Sequence, residues 1–214
     1  MTVSLTIVCA TDGDATRALS SQSPCLTALR GAGSATPASP PYALAVRGPS
    51  ARCAHTAAAL GLEATPEPAL RDFDYGAWDG YSMADVAAKD PYRYSVWFTD
   101  PDAAPHGGES IRQLCRRTGN WLSGLPPHPG RAVAVTESSV LRAALVHALS
   151  APVRAFWHFD LPPLSAVTLT RRDGHWRVHP GCVILGRSGR WLVPPEAPPG
   201  PRVPELVRAA HSGM

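Results

Sequence analysis

Side chains capable of chemistry follow two apolar segments of this 214-residue chain. Thr11 and Asp12 come after the segment 3–9, and Glu137 comes after the segment 131–136. Both segments are short and rich in β-branched residues, which is typical of buried parallel strands. Ligands of open α/β sheets bind beyond the carboxyl ends of the strands, so we expect one pocket between these positions. A carboxylate such as Glu137 could act there as a general acid or base.

The rest of the chain predicts an α/β fold with a mostly parallel central sheet flanked by helices. A further strand is expected at 42–47, and a hairpin is expected at 166–179 around the turn Asp173-Gly174. Helices are expected at 49–60, 82–89, 92–99, 110–122 and 139–149.

The length and composition favour one domain at residues 1–193. Residues of about 80–108 are expected to form a small insertion, or cap, over the strand ends. Residues 20–41 are rich in Ser, Pro, Gly and Ala, which predicts mostly loop. The Pro-rich segment 194–214 is typical of an extended, poorly packed tail.

The composition also limits the classes of partner. A formal charge of +3 is too small to indicate a nucleic-acid surface. The five cysteines are an odd number without metal-ligand spacing, which favours reduced thiols in the cytoplasm. No segment is long enough for a membrane span. We therefore expect a small-molecule substrate, no metal or other cofactor, and no nucleic-acid or membrane partner, with a homodimer left open.

Three separated segments resemble the histidine phosphatase (phosphoglycerate-mutase-like) superfamily. They read LTIVC at 5–9, LRDFDYGAWDG at 70–80 followed by Gly108-Glu109-Ser110, and AVAVTESSVLRAAL at 132–145. That family places Arg-His-Gly after its first strand and Ser/Thr-His-Gly after a later one. The aligned positions here read Cys9-Ala10-Thr11 and Thr136-Glu137-Ser138, so both histidines are absent.

The resemblance implies roles for single positions. In the family a histidine attacks phosphorus, two arginines and a second histidine hold the phosphoryl oxygens, and a carboxylic acid protonates the leaving group. Arg52 matches the second arginine, Asp72 matches the acid of the LxExxxG pattern, and Glu109 matches the acid of Gly-Glu-Ser. The nucleophile position holds Ala10, and the first-arginine position holds Cys9.

These exchanges predict that ordinary phosphomonoester hydrolysis is lost. Alanine has no lone pair, so no phosphohistidine can form at Ala10. The residues Cys9 and Glu137 remove positive charge and add negative charge compared with the family pattern. A phosphate dianion would therefore be repelled by Glu137 and Asp72 in a cleft of low dielectric constant.

The site that the resemblance leaves is an acidic cleft of Glu137, Asp72 and Glu109, with Asp12 near it and Arg52 as counter-charge. Crowded carboxylates push their pKa values apart, so one can stay protonated near neutral pH. We expect Glu137 to be the principal acid or base, Asp72 its partner and Glu109 a further catalytic carboxylate. Arg52 would orient an anionic part of the substrate.

Other residues are expected to contact the substrate. Tyr75 and Trp78 could wall an apolar ligand. The residues beside the two strand ends would line the pocket: Cys9, Ala10, Thr11, Thr136 and Ser138. Simpler roles stay open, because Glu137 could only pair with Arg52, Glu109 could only cap its helix, and Trp78 could belong to the core.

Three functions are compatible with these residues. The first is a repurposed enzyme, not a phosphatase, that uses carboxylate acid–base chemistry as a cyclase, dehydratase (lyase) or isomerase in specialised metabolite biosynthesis. The second is a non-catalytic relative that binds a small molecule or a protein. The third is residual phosphomonoesterase activity. The exchange of a histidine for an ionisable glutamate favours the first.

Overall fold

A six-stranded sheet runs through the part of the chain that the computed structural model describes, residues 3–11, 42–126, 131–182, 184–185 and 191–192. Its strands are β1 (Val3–Cys9), β2 (Tyr42–Arg47), β3 (Thr65–Pro66), β4 (Arg131–Thr136), β5 (Ser165–Arg172) and β6 (His175–Cys182). Their order in the sheet is β3-β2-β4-β1-β5-β6. The first four strands are parallel to one another, whereas β5 pairs antiparallel with β1, and β6 pairs antiparallel with β5. Two short strands, β7 (Ile184–Leu185) and β8 (Trp191–Leu192), pair separately. The predicted mostly parallel sheet is confirmed.

The register of β1 and β4 brings the two chemically important strand ends together. Cys9 lies opposite Thr136, so both strands stop at the same level of the sheet. The N–H of Ala10 then donates to the carbonyl oxygen of Thr136 at 2.7 Å. The predicted proximity of residues 9–11 and 136–138 follows from this parallel pairing.

Within the described residues, five α-helices begin and end close to the expected positions. They are α1 (Ala51–Ala59), α2 (Met83–Lys89), α3 (Pro91–Thr99), α4 (Ile111–Gly124) and α5 (Ser138–Ala148). The hydroxyl oxygen of Ser50 caps α1, and Ser110 with Gln113 forms a capping box on α4. Short 3₁₀ helices cover Pro68–Leu70, Gly76–Trp78 and Val153–His158. The hairpin turn has positive φ at Asp173 and Gly174, as a type I′ turn requires.

The alternation of side chains along β1 builds two cores. Leu5 and Ile7 face the cluster that contains the buried residues of α4 and α5. Val8 and Ala10 belong to the other cluster, with Cys53 and Ala57 of α1. The sheet is therefore covered by helices on both faces, and its strand ends remain the place for a site.

Parts of the sequence interpretation lie outside the described residues. They are Asp12, the expected loop 20–41 and the tail 194–214. The expected insertion is described, and in it Trp97 of α3 packs edge-on against Trp78 and Trp157, with ring centroids 5.6 and 4.7 Å apart. Among the described residues no helix is long and apolar enough to cross a membrane.

Two glycines join the loop after Leu70 to the end of the insertion. Gly76 has φ +49, and a Cβ there would lie 2.3 Å from the carbonyl oxygen of His106. A Cβ on Gly108 would lie 2.2 Å from the carbonyl oxygen of Asp74. These contacts are too close for any side chain, so the two loops can meet only with glycine at both positions.

We expect Gly108→Ala to lower the free energy of unfolding by roughly 2–4 kcal/mol, because a backbone carbonyl must move to admit the new Cβ. The matched control is Gly124→Ala on α4, where nothing lies within 4 Å of the added Cβ. The control should change stability by less than about 1 kcal/mol. Urea unfolding measures both variants, and equal losses in the two would contradict the close-contact explanation.

Candidate functional site

The site is organised around the guanidinium of Arg52, which lies in the first turn of α1. Its Nε donates to Oε1 of Glu137 at 3.2 Å, and an Nη lies 3.1 Å from Oε2 of the same carboxylate. That Nη also donates to Oδ2 of Asp72 at 3.2 Å. One cation therefore bridges carboxylates from the β4–α5 junction and from the loop after Leu70. The expected meeting of Glu137, Asp72 and Arg52 is present in the structure.

Glu137 is nearly buried, with 7% of its side chain exposed. Its Oε1 also accepts a 2.6 Å hydrogen bond from the hydroxyl of Ser50 and a weak contact from the thiol of Cys53 at 3.7 Å. Burial raises the pKa of Glu137 above the usual glutamate range, and the charge of Asp72 adds to this rise. The hydrogen bond from Ser50 and the charge of Arg52 oppose it.

Asp72 is the more accessible carboxylate, because 29% of its side chain is exposed. Its Oδ1 accepts hydrogen bonds from the hydroxyl of Ser139 at 2.6 Å and from the N–H of Phe73 at 2.7 Å. Together with Arg52, which donates to Oδ2, these three donors set the orientation of the Asp72 carboxylate. A ligand that entered the site would therefore meet Asp72 before it met Glu137.

Two further groups near the carboxylates keep their protons at neutral pH. Burial raises the pKa of the Cys53 thiol to about 11, and the charge of Glu137 adds to the effect. Burial together with the charge of Asp72 raises the pKa of Tyr75 to about 12. Cys53 is thus no thiolate nucleophile, and Tyr75 is a neutral phenol within the electrostatic reach of Asp72.

The two aromatic residues expected at the pocket differ in their surroundings. Tyr75 is partly buried and packs edge-on against Phe73, with ring centroids 4.9 Å apart. Trp78 is 9% exposed and packs against Trp97 and His106 in the hydrophobic core. Tyr75 can therefore border a ligand. Trp78 packs as a core residue, which is the simpler of the two roles left open for it above.

The residues at the strand ends are mostly enclosed. Cys9 is 3% and Ala10 is 2% exposed, and Ala10 packs in the apolar cluster under α1. The N–H of Thr11 donates to the hydroxyl oxygen of Thr56 at 3.1 Å, which ties the end of β1 to α1. Thr136 is fully buried, and its hydroxyl oxygen has no hydrogen-bond partner in the described part of the chain. Ser138 is the first residue of α5 and is half-buried.

Glu109 is not brought into the carboxylate network. Both of its oxygens accept hydrogen bonds from Arg117, at 3.0 and 2.7 Å, and Arg71 lies at 3.5 Å. The Glu109 carboxylate is thus paired with Arg117 of α4 and makes no contact with Arg52 among the described contacts. Glu109 lines instead an open polar cleft of about 610 Å³, together with Arg71, Asp74, Gln113, Arg116 and Trp121.

Sequence reasoning missed three residues that hold the site together. Ser50 and Ser139 donate to the two carboxylates, and Arg117 holds Glu109. The predicted helix 49–60 includes Ser50, so the sequence indicated neither its cap on α1 nor its bond to Glu137. No sequence signal separates Arg117 from its exposed neighbour Arg116. Among the described residues no group of three or more His, Cys, Asp or Glu could hold a metal ion.

Comparisons with known proteins agree with this architecture. The glucosyl-3-phosphoglycerate phosphatase of Mycobacterium tuberculosis is 30% identical over 127 residues, which are 54% of this chain and 56% of that protein. A bifunctional protein of the same organism is 38% identical over 61 residues, which are 28% of this chain and 17% of that protein. The chain thus spans about half or less of the length of these relatives.

Solved structures match over more of the chain. The mycobacterial glucosyl-3-phosphoglycerate phosphatase superposes with a TM-score of 0.62 at 20% identity, covering 83% of this chain and 97% of that one. A phosphoserine phosphatase of Entamoeba histolytica, as a His-to-Ala mutant in complex with phosphoserine, gives a TM-score of 0.64 at 15% identity, covering 82% and 94%. These likenesses show the shared fold.

The pattern of the histidine phosphatase superfamily (branch 1) matches residues 30–180. The matched range begins after Cys9-Ala10-Thr11, the segment that lacks the first histidine of the family. It includes Arg52, Asp72 and Glu137, the three residues joined in the site. The chain therefore belongs to the histidine phosphatase superfamily.

Proposed function

We propose that this chain does not transfer phosphoryl groups and instead uses its carboxylates for acid–base chemistry on an unphosphorylated small molecule. The reaction class is a cyclisation, a dehydration (lyase reaction) or an isomerisation in specialised metabolite biosynthesis in the cytoplasm. Two of the similar proteins named above are a glucosyl-3-phosphoglycerate phosphatase and a phosphoserine phosphatase, so the proposal assigns to this chain a change of chemistry on a shared scaffold.

The observation that carries the proposal is the occupation of Arg52. By resemblance this arginine would hold phosphoryl oxygens, but Glu137 already contacts it through both carboxylate oxygens and Asp72 through one. Ionised Glu137 and Asp72 together outweigh the single positive charge of Arg52. A phosphate dianion would therefore meet a site without free positive charge at this arginine.

The two carboxylates suit different tasks. Asp72 is partly exposed and can exchange a proton with a bound ligand, whereas Glu137 is enclosed and holds Arg52 in place. The raised pKa of Glu137 gives the pair one carboxyl group that favours its proton. Tyr75 would border the ligand on the side of Asp72. The assignment of Glu137 as principal acid or base is therefore revised, and Asp72 takes that role in the proposal.

A second candidate function is binding without reaction. All four carboxylate oxygens of Glu137 and Asp72 accept hydrogen bonds or ion-pair contacts from the protein. Such a saturated network suits a fixed receptor surface as well as a proton-transfer site. Retained phosphate binding is a third outcome, because a His-to-Ala phosphoserine phosphatase mutant of this fold holds phosphoserine.

Phosphate binding tests the charge argument directly. We expect orthovanadate and inorganic phosphate to leave the melting temperature of the wild-type protein unchanged. Glu137→Gln should gain stabilisation of a few degrees, the size expected for about 1 kcal/mol of ligand binding, because the substitution removes the negative charge that neutralises Arg52. The matched control is Glu63→Gln, which changes an exposed glutamate outside the carboxylate network. Stabilisation of the wild-type protein by either anion would overturn the argument.

Turnover is tested by mass spectrometry of unphosphorylated acids and amines that raise the melting temperature. We expect Asp72→Asn to reduce conversion of such a compound by about 100-fold or more while the compound still stabilises the variant, because general acid–base groups contribute on that scale. A stabilising compound that the wild-type protein leaves chemically unchanged would favour the binding function instead.

The pH dependence of stability tests the state of Glu137. Its raised pKa means that the folded protein binds this proton more tightly than the unfolded chain, so the free energy of unfolding falls as the pH rises above the usual glutamate pKa. Glu137→Gln removes this contribution. We therefore expect the variant to gain stability relative to wild type as the pH rises above the usual glutamate pKa of about 4.3. Parallel stability curves, measured by urea unfolding, would contradict the raised pKa.

A further inference from the structure

Arg117 is enclosed beneath the loop that carries Asp72. It lies on α4, and 13% of its side chain is exposed. Its Nε and one Nη donate to the two oxygens of Glu109, at 3.0 and 2.7 Å. This fork-to-fork geometry is the strong form of an arginine–carboxylate pair.

The remaining donors of Arg117 go to the backbone of the same loop. One Nη donates to the carbonyl oxygens of Ala69 at 2.7 Å and Arg71 at 2.9 Å, and the other donates to that of Asp72 at 3.3 Å. A guanidinium has five N–H groups, and each therefore has a partner here. Three backbone carbonyl oxygens within residues 69–72 are thus held by one side chain.

The loop is also held from the side of Glu109. The N–H of Glu109 donates to the carbonyl oxygen of Asp74 at 2.9 Å. Arg117 and Glu109 consequently fix the backbone on both sides of Phe73, directly next to the carboxylate that contacts Arg52 and Ser139. In Asp72 a single methylene group separates the Cα from the carboxylate. The position of the carboxylate therefore depends on where this backbone lies.

We propose that Arg117 and Glu109 are positioning residues that hold the Asp72 carboxylate in contact with the Arg52–Glu137 pair. The inference depends on the role given to Asp72 in the proposed function, and it assigns to Glu109 a task that acts through Arg117 and the loop. Glu109 touches no residue of the carboxylate network among the described contacts, so it is no catalytic residue in this assignment.

The titration of Glu137 tests the proposal without any substrate. The groups that face its carboxylate are Asp72, Arg52, Ser50 and Cys53. If Arg117→Lys lets the loop recede, Asp72 no longer raises the pKa of Glu137, and Arg52 is left to Glu137 alone. We expect the titration midpoint of Glu137 to fall by on the order of half a pH unit, measured by carboxyl ¹³C NMR and assigned with Glu137→Gln.

The matched control lies on the same helix. Arg112 also makes a two-point contact with an aspartate, Asp102, but this pair is exposed and far from the site loop in sequence. Arg112→Lys should leave the midpoint of Glu137 unchanged. A folded Arg117→Lys protein with a lower melting temperature and an unchanged midpoint would show that the pair only adds stability, which overturns the proposal.

A second variant covers the case in which Arg117→Lys does not fold. Glu109→Gln keeps the side-chain volume and weakens the hold on Arg117, so the midpoint of Glu137 should fall in the same direction by a smaller amount. An unchanged midpoint in folded Glu109→Gln would overturn the proposal. Because this readout needs no turnover, its failure differs from failure of the proposed acid–base function, which the substrate screen alone decides.

Discussion

The sharing of Arg52 between Glu137 and Asp72 is the interaction on which the site depends. An arginine cannot lose its proton in a protein, so its charge has to be balanced by neighbouring groups or by a ligand. In this chain two carboxylates supply the balance, at 3.1 and 3.2 Å. The cost of enclosing Glu137 is offset by the hydroxyl of Ser50 together with Arg52. The positive charge of Arg52 is thereby offset by the protein itself.

This arrangement needs three parts of the chain to meet within a few ångströms. Parallel pairing of β1 with β4 sets the level at which Glu137 leaves the sheet, and the cap at Ser50 sets the start of α1. Neither determines the loop that carries Asp72, which follows a short 3₁₀ helix and has no sheet partner of its own. The loop is held instead by glycine contacts on one side and by the bonds of Arg117 on the other. The position of the Asp72 carboxylate in the site therefore depends on where α4 packs, because α4 carries Arg117.

Local patterns predicted the framework well because they depend on neighbouring residues. Strand β4 begins and ends at the expected residues 131 and 136, and the helix expected at 110–122 starts after Ser110. The partners of long side chains could not be predicted in this way. The motif Gly-Glu-Ser does not indicate whether the Glu109 carboxylate faces the pocket or the loop, and that choice is made by Arg117 eight residues later. His106 lies in a loop rich in Pro and Gly, yet aromatic contacts enclose it to 3% exposure, and no local pattern indicates those contacts.

The site contains more charged and hydroxyl side chains than the stability of the fold requires. A buried ion pair often contributes no more than apolar side chains of similar volume would, so folding alone gives no reason for an arginine, two carboxylates and two serine hydroxyls at one place. Glu137 and Ser139 could be satisfied entirely within the protein, whereas Asp72 remains 29% exposed at the edge of the network. A carboxylate that is oriented by three donors and still open to solvent is prepared to meet a ligand. In the proposed function, the chemistry on this shared fold is set by Asp72 and the donors that orient it.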